Sequence, residues 1–393
     1  MPTTKKRRTK VVGRKRKNKK NILFRYIPLL SFCVILFAVY LIVLSVHPVG
    51  VIEYLKSEYT SLGSGDGYDI DIHDGKPTYT VSDDDKYVVV SSNYVNCYNR
   101  NGKVIFETNH SLSEPVVKLS DTRYLLYGQG ERALEINSFS ENLYLQNFES
   151  GIITAAISDS GVFAVATKAE GYSSGVTVFN KKNEKIYEWF SSDETVNGLS
   201  ISSNGKTIAV STVKVSGGKF LSSFYVLKFN SANAVYKKTY TDDIIYQIIP
   251  VSSSTYSVVL SNNIEFVNYK KEDAKSNLSD YSISMVKKAE GKIIVVRTVA
   301  ANQDESIVEV YKLNGKLSSS FKVKSHINDI SYKANKIYLL GLHNIYKYNT
   351  KGELLAEAKS DYDALFIEAV SANNVACVRN SSIDKCELTK TEE

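Results

Sequence analysis

The chain has 393 residues, 43% hydrophobic and 11% aromatic, with 49 Lys and Arg against 42 Asp and Glu and a formal net charge of +7. That charge is uneven: residues 1–25 hold 12 Lys or Arg and no acid, so residues 26–393 carry 37 cations and 42 anions, a net −5. A mildly acidic body lacks the basic surface that a phosphate backbone requires, which excludes nucleic acid as the partner of the large domain.

The basic segment KKRRTKVVGRKRKNKK, residues 5–20, is followed by YIPLLSFCVILFAVYLIVLSV, Tyr26 to Val46, 21 residues without a charge. At about 1.5 Å per residue this run makes about 32 Å of helix, enough to cross a hydrocarbon core of about 30 Å. Pro28 falls in the first turn of the expected helix, where a missing N–H costs little. Lys and Arg are retained on the cytoplasmic side of a span, and every cation of the first 25 residues lies on its N-terminal flank. The run is longer than the apolar core of a cleavable signal, and LSVHPVGVIEYLK after it offers no clean small-x-small cleavage site. The expectation is an uncleaved, single-pass signal anchor. Residues 1–25 form a cytoplasmic tail attracted to anionic lipid, 26–46 the transmembrane helix, and everything beyond lies on the outer face of the cell membrane.

Residues 47–67, with the short amphipathic VIEYLKSEY and the flexible SLGSGDG, read as a stalk reaching at most about 70 Å. Next comes GYDIDIHDG, residues 67–75. Counted from Asp69 as a calcium loop it places His73 at the fifth position, Asp74 at the sixth and Thr80 at the twelfth, where an acid, Gly and Glu are required, so the match fails. The alternation of Asp69, Ile70, Asp71 and Ile72 instead predicts a strand exposed on one face.

From residue 68 onward short Tyr-, Val- and Ile-rich runs alternate with Ser, Asn, Asp and Gly, without sustained helical periodicity, which predicts an all-β domain over 68–393. Two hairpins recur. The first is a polar turn followed by an apolar strand: SDDDKYVVVSS from Ser82, SDTRYLLYG from Ser120, SDSGVFAVAT from Ser158, SSNGKTIAVST from Ser202 and SSSTYSVVLS from Ser252. KKAEGKIIVVRT from Lys287, YKANKIYLLG from Tyr332 and SANNVACVRN from Ser371 bring the copies to eight. The second, joining the next two strands, is clearest in YNRNGKVIF from Tyr98, YKLNGKLSS from Tyr311 and YNTKGELLA from Tyr348. FNSANAVYK from Phe229 puts Asn233 where the others have Gly, and FNKKNEKIYEW from Phe179 is one residue longer. Together the hairpins define a four-stranded unit repeated eight times, the pattern of a single β-propeller with eight blades. The last unit offers three strands, so the strand around Ile70 is expected to close the ring as its outer fourth.

On this period and turn chemistry the chain resembles the WD-repeat and quinoprotein-like propeller superfamily, and within it bacterial membrane-anchored propeller proteins of unknown function. It departs from the usual pattern in having no Trp-Asp dipeptide and a single Trp, Trp189, so no family activity is carried over.

Catalytic motifs are scarce. The five His (47, 73, 110, 326 and 343) have no metal spacing, and neither a Gly-x-Ser-x-Gly elbow nor a phosphate-binding Gly pattern occurs. No catalytic, metal or cofactor residue is assigned. Asp83, Asp84 and Asp85, like Asp242 and Asp243, read as solvated hairpin tips; His326 and Asp329 flank the start of a strand within reach of a central channel, although an ordinary surface His is the preferred reading. Cys377 and Cys386 flank a turn. If 380 opposes 383 they face each other, and either a disulfide or two small buried thiols fits. The sequons at Asn109, Asn277 and Asn380 matter only in a glycosylating host, and the 27 Tyr either pack the strands or form a patch on one ring face.

The functional expectation is a membrane-tethered interaction module that binds an envelope protein or a wall polymer. Its rival is an envelope enzyme or small-ligand sensor with a site in the central channel.

Overall fold

The apolar runs that follow the polar turns form the most deeply buried strands. Lys86–Ser91 and Arg123–Gly128 are buried at every position, as strands enclosed on both faces must be. The computed structural model describes residues 20–46, 49–72, 75–83, 85–298, 304–360 and 363–388, with side chains for 26–41 in the first stretch. Residues 5–19 of the basic tail, His47, His73, Asp74 and Asp84 lie outside the described residues.

The chain divides into two units, Met1–His47 and Pro48–Glu393. The first holds helix α1 (Lys20–Val46). Because α1 starts at Lys20, Pro28 lies inside it and not in its first turn, and the carbonyl of Pro28 accepts a bond from Ser31 Oγ at 2.9 Å. Residues 26–41 are exposed throughout, Leu30 at 67% and Phe37 at 61%. These 16 described positions amount to about 24 Å of helix, and among the described residues no helix is long and apolar enough to cross a membrane.

The second unit opens with helix α2 (Val51–Ser61) and continues into eight four-stranded antiparallel sheets. Each sheet is a blade with strands A to D from the axis outward, and strand order follows the chain in seven of them. Blade 8 takes strands A to C from Phe366–Ala369, Asn374–Val378 and Ser382–Glu387, and strand D from the start of the domain, Ile70–Asp71. Ile70 pairs with Ile383 and Asp71 with Ser382, and Ile72 N–H donates to Ser381 O at 2.7 Å. The expected closure and the eight-blade count therefore both hold.

Blades have little core of their own, so the apolar faces meet between them. Each of the eight core clusters among the described residues joins two neighbouring blades. At the seam Tyr87, Val89 and Tyr98 of blade 1 pack on Ala376, Val378 and Ile383 of blade 8, with Ile70 and Ile72 beside them. Buried Tyr adds directional ties: Tyr79 OH accepts from Val117 N–H at 2.7 Å, and Tyr338 OH donates to Ala372 O at 2.8 Å, each crossing to the next blade. This interblade role accounts for much of the Tyr content. The turns match their residues: Gly102, Gly315 and Gly352 have φ of 86°, 76° and 92°. Asn183 shares that conformation at 63°, whereas Asn233 is not among the positive-φ residues, because its longer loop turns without one.

Candidate functional site

Two ring faces and a central channel can carry a site. The A–B and C–D turns end on one face, and the B–C and D–A connections end on the other.

The A–B/C–D face is partly covered by the chain itself. Residues expected to be a flexible stalk form α2, which is bound to three successive blades. At its start Lys181 Nζ of blade 3 donates to Val49 O at 3.2 Å. Midway Arg123 of blade 2 grips Glu53 with both arms, Nε–Oε1 2.6 Å and Nη2–Oε2 2.8 Å, while Arg123 Nη1 donates to Lys181 O at 2.8 Å. At its end Asn99 Nδ2 of blade 1 donates to Ser61 O and Gly63 O at 2.7 and 2.8 Å, and Lys103 Nζ caps Thr60 O and Leu62 O at 2.8 and 2.7 Å. Those last carbonyls have no partner within the helix, so the lysine and the amide satisfy the C-terminus.

Below α2 the channel widens into a cavity of about 800 Å³ between the A strands of blades 1 to 5. Its charged groups are Lys118 and the turn carboxylates Asp83, Asp121 and Asp159. Desolvation, then the charges of Asp159 and Asp83, pushes the Asp121 carboxyl up to about 7. Lys118 is reached by solvent in the lumen but walled in by protein, and that desolvation lowers its pKa. Its ammonium has no hydrogen-bond or ion-pair partner among the described residues.

On the far side of the channel Asp329 is enclosed between the A strands of blades 7 and 8. It accepts Ile330 N–H and Ile367 N–H, each at 2.8 Å. Burial raises its carboxyl to about 7, against the pull of Lys287. Glu368 behaves oppositely. Burial alone would raise it, but Lys287, Arg100 and the hydroxyls of Ser82 and Ser331 hold it below the usual carboxylate range. Lys287 Nζ lies 3.2 Å from Oε1 and Ser331 Oγ 2.9 Å from Oε2. These groups bond to backbone and to one another across blades, which is the work of a structural network.

The opposite face has one projecting feature. In blade 4 strands B (Thr207–Ser216) and C (Lys219–Lys228) are each 10 residues long, against 5 to 8 in the other blades. Strand A stops pairing at Val213 and strand D at Leu221, so Lys214 to Phe220 extend past both ladders as a two-stranded tip, with Phe220 O accepting Asp242 N–H at 2.7 Å at its base. Gly217 and Gly218, at φ 58° and 76°, make the tight turn that suits the twist of a hairpin. Val215 and Phe220 face each other across it and are 65% and 51% exposed. The root is rigid: buried Glu194 accepts bonds from Thr212 Oγ1 and, at 2.9 Å, Tyr225 OH, with Lys214 Nζ at 3.4 Å. Nearer the axis on the same face Tyr246 is 68% exposed at the cavity rim.

The residues singled out in the sequence separate. His326 is half-buried and does not join Asp329 in a site. Asp243 caps its own turn, Oδ1 accepting Ile244 N–H at 2.9 Å and Ser261 Oγ at 2.8 Å, and Asp242 pairs with Lys219 at 3.4 Å. Cys377 and Cys386 come together with Sγ atoms 2.7 Å apart as free thiols, the Cys377 thiol pushed up by its neighbour and by burial. Their register differs from expectation. Cys377 opposes Asp384 and Val375 opposes Cys386, so the thiols are diagonal neighbours on one face. The turn keeps its expected length of two residues but falls one residue earlier, on Asn380 and Ser381, closed by Arg379 N–H to Ser382 O at 2.8 Å. The blade 4 tip was not anticipated, although VKVSGGKF carries its signal in a Gly pair between alternating strands.

Comparison with known proteins agrees with this architecture. Residues 56–388 match the Family of unknown function (DUF5711), and the chain belongs to that family. No curated protein matches the sequence. Similar solved structures include the dihydro-heme d1 dehydrogenase NirN, at 9% identity and TM-score 0.57 over 81% of this chain and 75% of that one. The C-terminal WD40 domain of Sif2 is similar at 12% and 0.54 over 83% and 98%, and BamB from Moraxella catarrhalis at 9% and 0.50 over 79% and 98%. At such identities the likeness shows the propeller fold alone.

Proposed function

We propose that this member of the DUF5711 family is a membrane-tethered, extracytoplasmic interaction module whose propeller binds a protein of the cell envelope through the face opposite α2. The observation that carries the reading is the inequality of the two faces. One is overlaid by the chain's own helix, and the other raises a rigid hairpin with an apolar tip. Exposed Val215 and Phe220 on a root fixed by Glu194 match what a binding hot spot needs, large apolar groups presented with little loss of freedom on docking. The tether is supported by the charge-free run Tyr26–Val46 behind a flank of Lys and Arg, and the basic tail suits anionic lipid on the cytoplasmic side.

The test is photocrosslinking in the native cells from position 220, with position 354 as control, since Leu354 is 46% exposed on the α2 side of the ring. One partner captured from 220, absent from 354 and lost with Val215→Asp, supports the reading. Capture that is equal from both positions contradicts it.

A second reading, a small-ligand site in the channel, is favoured by the cavity of about 800 Å³ into which Lys118 projects. It predicts that a bound small molecule is displaced by Lys118→Ala, which the hairpin reading does not.

A further inference from the structure

α2 is bound on its inner side and bare on its outer side. Glu53 and Ser57 face the blades, whereas Ile52, Leu55, Tyr59 and Leu62 are 75%, 57%, 77% and 63% exposed. At 100° per residue these four fall within an arc of about 80°, so they form a single stripe along the outer side of the helix. A soluble surface seldom displays such a stripe without something to cover it. The chemistry is that of a helix lying in a membrane interface, aliphatic side chains with a Tyr whose hydroxyl suits the headgroup level.

The rest of the same face is charged in a complementary way. Lys182 on the C–D turn of blade 3, Lys206 on the A–B turn of blade 4 and Lys316 on the C–D turn of blade 6 are exposed. Their ammonium groups have no carboxylate partner among the described residues. Acids share this face, and most of those in its turns are engaged: Asp121 and Asp159 line the channel, Glu141 pairs with Lys56 at 3.2 Å and Asp85 with Lys333 at 3.8 Å, Glu290 accepts Ala334 N–H at 2.9 Å, and Glu184 and Glu353 accept from the Asn180 and Asn349 amides at 2.7 and 2.6 Å. A domain whose overall charge is negative thus keeps free lysines on the face where α2 shows its apolar stripe. In sequence, only four residues separate the end of α1 at Val46 from the start of α2 at Val51.

We propose that the α2 face of the ring rests on an anionic phospholipid surface, with Ile52, Leu55, Tyr59 and Leu62 seated in the interface and Lys182, Lys206 and Lys316 over the headgroups. The proposal rests on the tether, which delivers this face to the bilayer. It adds that the propeller is held against the membrane and does not swing on a stalk.

The test uses the full chain reconstituted into phosphatidylglycerol vesicles with or without brominated acyl chains. Leu55→Trp and Val215→Trp each add one indole to the native Trp189, and the unsubstituted chain is the blank. Brominated chains are expected to reduce the emission added at position 55 about twofold or more, and to leave that at 215 unchanged. Lys182→Glu, Lys206→Glu and Lys316→Glu together are expected to weaken the quenching at 55. A chain that withstands alkaline carbonate extraction yet shows no quenching at 55 overturns the proposal and leaves the tether standing. Crosslinking of position 55 to a second copy in place of quenching also overturns it. A chain released by carbonate overturns the tether, and this proposal with it.

Discussion

Glu53 and Arg123 form a bidentate ion pair between α2 and blade 2, with N–O distances of 2.6 and 2.8 Å and the arginine side chain only 6% exposed. An arginine so enclosed is costly to leave unpaired. Glu53→Ala is expected to destabilise the second unit by about 2 kcal/mol and to speed amide exchange across residues 51–61, with Glu53→Gln intermediate. Exchange in α2 that does not change on substitution would show that the pair does not hold the helix.

The ring closes through a strand of two residues, so its hold depends on packing more than on ladder bonds. Ile70→Asp with Ile72→Asp puts carboxylates into the cluster that joins blades 1 and 8 and frees the edge of Ser382–Glu387. A loss of about 3 kcal/mol and a rise in self-association are expected, read by denaturant unfolding and sedimentation. Asp71→Ala, at an exposed position of the same strand, should do little. Equal effects would remove the latch.

Much of this architecture was legible in the sequence, for identifiable reasons. Polar turns and doubly buried strands repeat because every blade solves the same packing problem, and Ile70 and Ile72 alternate because one side of the latch faces blade 1. The docking of α2 was not legible. Its eleven residues are too few to signal a packed helix, and its anchors Asn99, Lys103, Arg123 and Lys181 are spread over three blades and look like ordinary turn residues until the ring gathers them. The hairpin tip was present as a Gly pair, but its exposure depends on where the neighbouring strands stop pairing, which residue types do not reveal.

Stability should fall as the solution becomes more alkaline. Asp121 and Asp329 have carboxyls raised to about 7, chiefly by burial, while an unfolded Asp titrates near 3.9. Between those values the folded chain binds protons that the unfolded chain does not. Each group therefore subtracts stability as pH rises through that window, by at most about 1.4 kcal/mol per unit. Glu368, held low, contributes stability that is lost only as pH falls below the ordinary Glu value, outside the window. Unfolding free energies at pH 5 and pH 8 should differ less in Asp121→Asn and Asp329→Asn than in the native chain. A pH dependence unaltered by both would contradict the assignment.

Cys377 and Cys386 are placed to form a disulfide wherever a dithiol–disulfide exchange partner accepts their two electrons and two protons. In protein purified from its native cells, alkylation under denaturing conditions without reductant should modify two cysteines, Cys33 and Cys97, and all four after reduction. Four modified without reductant would establish the pair as thiols.

The central claim, that the blade 4 tip docks a protein partner, is tested most directly by the affinity of the partner captured from position 220 for the native chain and for Phe220→Ala. Both chains are compared in the same detergent, with unfolding measured alongside. Because Phe220 lies on the projecting end of strand C, past its last pair with strand D, the substitution should leave stability unchanged, while loss of a central apolar contact weakens binding about tenfold or more. Unchanged affinity for Phe220→Ala and for Val215→Ala would contradict the claim.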